Sequence, residues 1–368
     1  MSEPSTTLLP VSFADLPGWS DDDHAAALQA FVSSCARLAD VAQLNAALSS
    51  KLFAPPLRAV CAAANAVDAS DATTARAFFE NHFTPHKIVH GRPEGLLTGY
   101  YEPLFDGSRT REGAFQVPIY ARPPDLVNLV DEAARATAGM ALTHARRTAT
   151  GTEPYATREQ IESGALAGQG LELFYLADPV DAFFMQVQGS GRIRLPDGAL
   201  VRVTYAGKNG HPYTSIGRYL VDTGALSLQD VTLESLAAWL RADPARGRKV
   251  MWQNKSYVFF RTLEGTEAES AKGVHGIPLI PGRSLAVDPA FHALGTPIYV
   301  VAPTLVHAFG EACFQRLMIA HDVGSAIKGP ERGDIYYGSG DDAGRQAGIT
   351  KHPGNFFALL PKSVTSRI

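Results

Sequence analysis

Two periodicities divide the chain. Over the first ~90 residues, apolar positions recur at helical spacing: Leu28, Phe31, Val32, Cys35 and Leu38, then Leu57, Val60, Cys61 and Ala64, then Ala75, Phe78, Phe79 and His82. Three amphipathic helices are expected there. The run Ser20, Asp21, Asp22, Asp23 gives the first a capping-box-like start, with acids at the positive end of the helix dipole. Pro55 and Pro56 open the second helix and Asp71 caps the third.

From Leu96 the pattern shortens to β-branched and aromatic runs broken by Gly, Pro and Asp. Strands are expected at 95–101, 115–120, 183–188, 192–195, 200–205, 257–261, 297–301 and 314–320. Helical insertions are expected at 126–138, 157–163, 215–223 and 232–241, with 243–248 as a loop. Such spacing predicts a mainly β protein of barrel type with N-terminal helices, not a parallel α/β sheet.

Composition narrows the function. The 368 residues are 45% hydrophobic and 19% charged, enough for about two domains. A net charge of −4 with no Lys/Arg-rich run argues against a nucleic-acid partner. No apolar stretch reaches the ~18 residues that span a bilayer. The start, M-S-E-P-S-T-T-L-L-P, has neither the basic nor the apolar region of a signal peptide.

Cys35 and Cys61 lie on two apolar stripes that face one core, so a disulfide and two separate buried thiols fit equally; Cys313 reads as a core thiol. No Cys or His spacing suggests a metal. His82, His86 and His90 have i, i+4, i+8 spacing, but Pro85 breaks the helix that would align them. No metal and no cofactor are expected.

The richest chemistry lies in I-A-H-D-V-G-S-A-I-K-G-P-E-R-G-D-I-Y-Y-G-S-G, residues 319–340. Asp322 and Asp334 each stand where a strand meets glycines. Acids in such places are costly in a core and useful in a cleft. A pair of carboxylates is also what acid/base chemistry on a sugar linkage requires. The D-V-G-S loop is similar to that of aspartic proteases, but their chemistry needs two such loops and the chain has one.

Several motifs, in order, resemble the membrane-bound lytic murein transglycosylase A family with its three-aspartate domain. They are T-G-Y-Y-E-P (98–103), F-Q-V-P-I-Y (115–120), Q-V-Q-G-S-G (186–191), Y-A-G-K-N-G-H-P-Y-T-S-I-G-R (205–218), S-Y-V-F-F-R (256–261) and P-G-R-S-L-A-V-D (281–288), besides the Asp322 and Asp334 segments. The resemblance covers roughly residues 70 to 362 and implies a double-psi β-barrel from 1–104 and 263–368. A second barrel-like domain, 105–262, would be inserted into it, with the substrate groove between them. Ser325 departs from the usual Gly, and residues 330–333 make the loop before Asp334 longer and stiffer.

The implied activity is cleavage of the β-1,4 MurNAc–GlcNAc bond of peptidoglycan with formation of 1,6-anhydro-MurNAc. Asp334 would be the single acid/base and Asp322 the neighbouring charge. Asp288, before Pro289, reads as a structural turn residue. Thr98 and Tyr100 share one strand face and would lie beside the acid. Gln188, Ser190, Lys208 and Asn209 offer donors next to glycines, and Tyr205 offers a ring to stack on a sugar. Lys328 would pair with one of the acids or stand solvated in its loop.

The implied partner is the glycan strand, with other cell-wall enzymes or scaffolds beside it, and the implied state is a monomer. The implied location is the periplasm, associated with the outer membrane through an anchor that precedes this chain. The alternatives are a non-catalytic peptidoglycan-binding protein and a hydrolytic glycosidase on the same fold.

Overall fold

The computed structural model describes residues 6–44, 55–91, 94–130, 142–227, 231–310 and 313–362. They form two compact units, Met1–Tyr100 with Lys272–Gly338 and Thr350–Ile368, and Tyr101–Ala271 with Ser339–Ile349.

In the first unit, six strands close into a barrel. Their order around it is Lys351–Pro361, Pro297–Ala302, Phe314–Val323, Ser284–Val287, Arg332–Ser339 and Gly95–Glu102, which pairs back with Lys351–Pro361. Strands Phe83–Val89 and Thr7–Pro10 extend the sheet from Lys351–Pro361. Leu285, Val287, Ile298, Val300, Met318, Ala320, Ile335 and Phe356 share one face of this sheet and are fully buried. Ser284–Val287 and Pro297–Ala302 are buried at every position. A strand covered on both faces reads as a continuous apolar run, and S-L-A-V and P-I-Y-V-V-A are such runs.

The expected helices form as His24–Leu44, Pro55–Ala64 and Ala72–His82. Phe31, Phe78, Phe79 and Phe83 pack edge-on or tilted among them, with ring centroids 5.6 to 6.4 Å apart. Cys35 and Cys61 are joined as a disulfide, Cα atoms 5.5 Å apart, which resolves the open pairing. The acidic run divides its labour. Asp23 caps the first helix through the Ala26 amide. Asp22, expected to cap as well, instead makes a buried ion pair with Arg283 at 2.8 Å and takes the Leu317 amide.

The second unit is built on a six-stranded sheet ordered Val258–Thr262, Leu200–Lys208, Ser190–Arg194, Leu104–Ser108, Glu172–Leu176, Val117–Tyr120. A bridge between Ala121 and Phe260 joins its two edge strands, giving the barrel-like form. Its core gathers Ile119, Phe174, Leu176, Met185, Ile193, Val203 and Phe260.

Three expectations need correction. Residues 183–188 are the end of a helix, Pro179–Gln188, not a strand. Asp178 caps it, Pro179 opens it and Gly189 ends it at φ 79°. These terminal signals outweigh an apolar run too short to fix a period. Residues 243–248 are likewise not a loop: Asp243 accepts the Ala245 and Arg246 amides and starts helix Pro244–Met251. At 126–138, Leu126–Asn128 is a strand, and 131–138 lies outside the described residues.

Candidate active site

The two acids are brought together by the register of three barrel strands. Ser284–Val287 runs between Phe314–Val323, to which it is parallel, and Arg332–Ser339, to which it is antiparallel. Ala286 pairs with Asp322 on one side and Asp334 on the other. Directly paired residues point to the same face, so both carboxylates flank one methyl group. Their Cα atoms are two strand spacings apart, roughly 9–10 Å.

This alignment depends on a bulge. Ser284 pairs with Ile319 and Leu285 with Ala320, but Ala286 pairs with Asp322, so His321 is the extra residue. In a regular ladder with no bulge His321 would stand opposite Ala286, and Asp322, one place along, would point to the opposite face. His321 is fully buried and its Nδ1 lies 2.7 Å from the Ser284 hydroxyl. Burial depresses its pKa to about 3, so it stays neutral.

Asp322 accepts two backbone amides on Oδ1, from Val274 and Val323, each at 2.9 Å. The Val274 segment can come this close because residue 273 is glycine. A Cβ there would lie 2.6 Å from the His321 carbonyl oxygen and 3.2 Å from the Asp322 carboxyl carbon. Tyr100 lies against Asp322. Its hydroxyl is buried without a well-formed hydrogen bond, and its pKa is raised by burial and by both acids.

Asp334 Oδ1 accepts the Thr98 hydroxyl at 2.5 Å. Thr98 in turn accepts from Arg332 Nη2 at 2.8 Å. Tyr100 packs on Tyr336, ring centroids 5.2 Å apart. Both acids are partly buried. Burial pushes Asp322 up to about 7; its amide donors and Tyr100 pull it down and Asp334 adds to the rise. Burial raises Asp334 as well, opposed by Arg332 and Thr98. Two interacting acids titrate as a pair, and this pair retains a proton toward neutral pH. The arrangement can give a proton and take one back.

Behind Asp334, Glu331 anchors the strand. Its carbonyl accepts the Leu96 amide at 2.8 Å, its Oε1 accepts the Phe356 amide at 2.7 Å, and its Oε2 lies 2.7 Å from His90 Nε2. Asp288 accepts the Ala290 amide at 3.1 Å and the Gly329 amide at 2.9 Å, tying its turn to the loop after Asp322. Lys328 is exposed and makes no ion pair with either acid among the described contacts. The cation beside Asp334 is Arg332, which the sequence reading passed over. Its place two residues before Asp334, on the same strand face, was the available signal.

Thr98 and Tyr100 thus join the acids in the first unit. Gln188, Ser190, Tyr205, Lys208 and Asn209 all belong to the second. Gln188 ends its helix and its side-chain oxygen accepts the Tyr101 amide at 3.2 Å. Ser190 and Lys208 are largely buried. Tyr205 borders a recess of about 570 Å³ with Arg122, Asn128 and Arg261.

Asn209 is fully buried and has a different use from the expected sugar donor. Its amide nitrogen donates to the Ala156 and Lys255 carbonyls and its oxygen accepts the Tyr257 amide. Asn209 therefore braces three segments: both its donors are taken, and its oxygen is out of reach of solvent. Among the described residues no cluster of three His, Cys, Asp or Glu side chains could hold a metal ion.

Comparison with known proteins gives consistent matches. Residues 96–261 match the MltA specific insert domain and residues 283–360 the 3D domain. The chain is 35% identical over 269 residues to membrane-bound lytic murein transglycosylase A of Vibrio cholerae. That match takes in 72% of this chain and 65% of the relative's length. The crystal structure of a membrane-bound lytic murein transglycosylase from Agrobacterium tumefaciens superposes with a TM-score of 0.84 at 36% identity, covering 96% of this chain and 98% of that one. The structure of Escherichia coli MltA with bound chitohexaose gives 0.65 at 29% identity, covering 98% and 93%.

Proposed function

We propose, from the premise that this chain belongs to the membrane-bound lytic murein transglycosylase A family, that it is a lytic transglycosylase acting on peptidoglycan. Asp322 and Asp334, set on one face of the barrel about Ala286 and poised to hold a proton near neutral pH, carry this reading.

In the proposed reaction, protonated Asp334 gives its proton to the glycosidic oxygen as the C1–O bond to MurNAc breaks. The C6 hydroxyl of the same MurNAc then closes on C1. Its proton passes to the Asp334 carboxylate, which restores the acid. A 1,6-anhydro ring forms and no water is consumed. Ionised Asp322 opposes ionisation of Asp334 before the first step and then stabilises positive charge developing at C1. Thr98 and Tyr100 shape the site around the acid. The chitohexaose held by the Escherichia coli relative supports a glycan strand as the ligand. Gln188, Ser190, Tyr205 and Lys208 are proposed to meet its sugars, with the protein acting as a monomer.

A second reading exchanges the two acids, because Asp322 is the one that burial takes to about 7. Its Oδ1 is already committed to two amides, whereas Asp334 has a single hydroxyl partner. Asp334 is therefore preferred as the group that cycles.

A disulfide between Cys35 and Cys61 fits an oxidising compartment, in accord with a periplasmic site of action at the cell wall. Mass spectrometry of material released from purified sacculi tests the function. Anhydro-ended muropeptides are expected. Reducing ends would mean hydrolysis, and an absence of soluble products would mean binding alone.

A further inference from the structure

Arg332 has no part in the chemistry assigned so far, yet its guanidinium stands one hydroxyl away from the acid that does. Nη1 donates to the Gly333 carbonyl at 2.6 Å and Nη2 to Thr98 Oγ1 at 2.8 Å. Thr98 then donates to Asp334 Oδ1 at 2.5 Å. A guanidinium has only donors. The Thr98 oxygen must therefore accept from Arg332, and its single hydrogen is left for Asp334. An oxygen already receiving that hydrogen cannot carry its own proton along the same line. The acid's proton is thereby sent to Oδ2.

We propose that Arg332 is a positioning residue of this site, fixing through Thr98 which oxygen of Asp334 carries the transferable proton. Without Arg332 the Thr98 hydroxyl is free to turn and accept from a protonated Oδ1. The proton would then be held in an internal hydrogen bond, not offered to the substrate.

Arg332 acts on charge too. It favours the Asp334 carboxylate, so it assists the release of the proton to the glycosidic oxygen. The other titratable groups that face Asp334 are Asp322 from strand Phe314–Val323, Tyr100 from Gly95–Glu102, and Tyr336 and Tyr337 from its own strand. Among the described residues, Arg332 is the cation that acts on Asp334; Lys351, paired with Thr98 on the neighbouring strand, is exposed. Ser284–Val287 contributes Ala286, which does not titrate.

The inference rests on Asp334 as proton donor, and the test separates the two. Asp334 is titrated directly by carbon-13 NMR of its carboxyl, and rates of muropeptide release are measured against pH. Arg332→Met should move both the Asp334 titration and the alkaline limb of the rate upward. It should also lower the maximal rate by roughly 10- to 100-fold. Arg332→Lys, which keeps the charge, should return the titration toward its wild-type position. In a Thr98→Val background, Arg332→Met should cost little more rate, because the link is already cut.

An unmoved titration in folded Arg332→Met would overturn the proposal, as would full additivity with Thr98→Val. Should Arg332→Met not fold, the link is tested at its other end: Thr98→Val must shift the Asp334 titration upward and Thr98→Ser must leave it in place. If Asp334→Asn remained active, the donor assignment would fail alone, and the NMR titration would still read the coupling.

Discussion

Glu102 of the second unit and the two site acids of the first are all withdrawn from solvent, and they are handled in opposite ways. In the second unit Glu102 is fully buried and fully answered. Arg202 grips it with two bonds of 2.7 and 3.0 Å, the Ser339 hydroxyl donates at 2.6 Å, and Arg192 stands 3.5 Å away. In the first unit Asp322 has two amides and no cation among its described contacts, and Asp334 has one hydroxyl with Arg332 behind it. A complete set of partners holds a carboxylate in one charge state and builds structure. An incomplete set leaves the proton in play. Burial alone does not single out the two acids proposed for catalysis; the shortfall in their partners does.

Four experiments sharpen or break that contrast. The largest effect is expected for Asp334→Asn, which should lower turnover by about 10²–10⁴-fold or more while the fold is kept. Release of muropeptides by the purified variant, with circular dichroism as a fold control, measures it. Near-wild-type release would remove Asp334 from the mechanism.

Glu102→Ala should act on stability instead. Leaving the largely buried Arg202 without its partner is expected to cost ~3 kcal/mol, read as a lowered denaturation midpoint. The remaining folded protein should keep the pH profile of muropeptide release. A shifted profile would mean that the two groups of acids are not independent.

Asp322→Asn should leave residual activity, lower by about a hundredfold, the scale of losing one electrostatic group. Its pH–rate curve should also lose symmetry. In the wild type the rate falls as pH rises through the pKa of the proton-holding pair, and falls again when the pair is fully protonated, giving a bell. With one acid neutralised, the limb belonging to their interaction should flatten. A wild-type rate rising steadily to pH 9 would contradict the pair altogether.

The smallest effect concerns folding. Asp322 titrates at about 7 in the folded state, above its ordinary 3.8. The folded protein therefore binds the proton more tightly than the unfolded chain does. Stability is fully present below pH 3.8 and declines as pH rises through about 7. Asp322→Asn should accordingly raise the melting temperature at pH 8 and change it little at pH 4. Equal shifts at both values would show that its charge carries no such penalty.

The sequence made the acids themselves visible, because Asp322 and Asp334 stood among glycines at strand ends. The N-terminal helices were equally plain, since Asp71 and the Phe78–Phe79 stripe agree on one period. Less could be read where local signals compete. Phe183 to Gln188 looked like a strand until Asp178, Pro179 and Gly189 were weighed as helix ends. Asp22 looked like its capping neighbour because only folding brings Arg283 to it. Lys328 stands in a glycine loop, where a lysine is open to any partner, whereas the partners of Arg332, in a strand, are set only by folding. Asn209 misled for the converse reason: glycines on either side suggested an open loop, but three backbone segments converge on its amide.

The extra residue at His321 makes this site a matter of parity. A strand offers alternate residues to alternate faces, so the count of residues before Asp322 must be odd or even in the right sense. Delete His321 and the ladder becomes regular, with the acid still opposite Ala286. Insert one residue after His321 instead, and the acid moves to the far face while the barrel wall keeps its hydrogen bonds. A second insertion brings it back. A scan of insertions between Ala320 and Asp322 should therefore give activity that alternates with length, a pattern that side-chain substitution cannot produce.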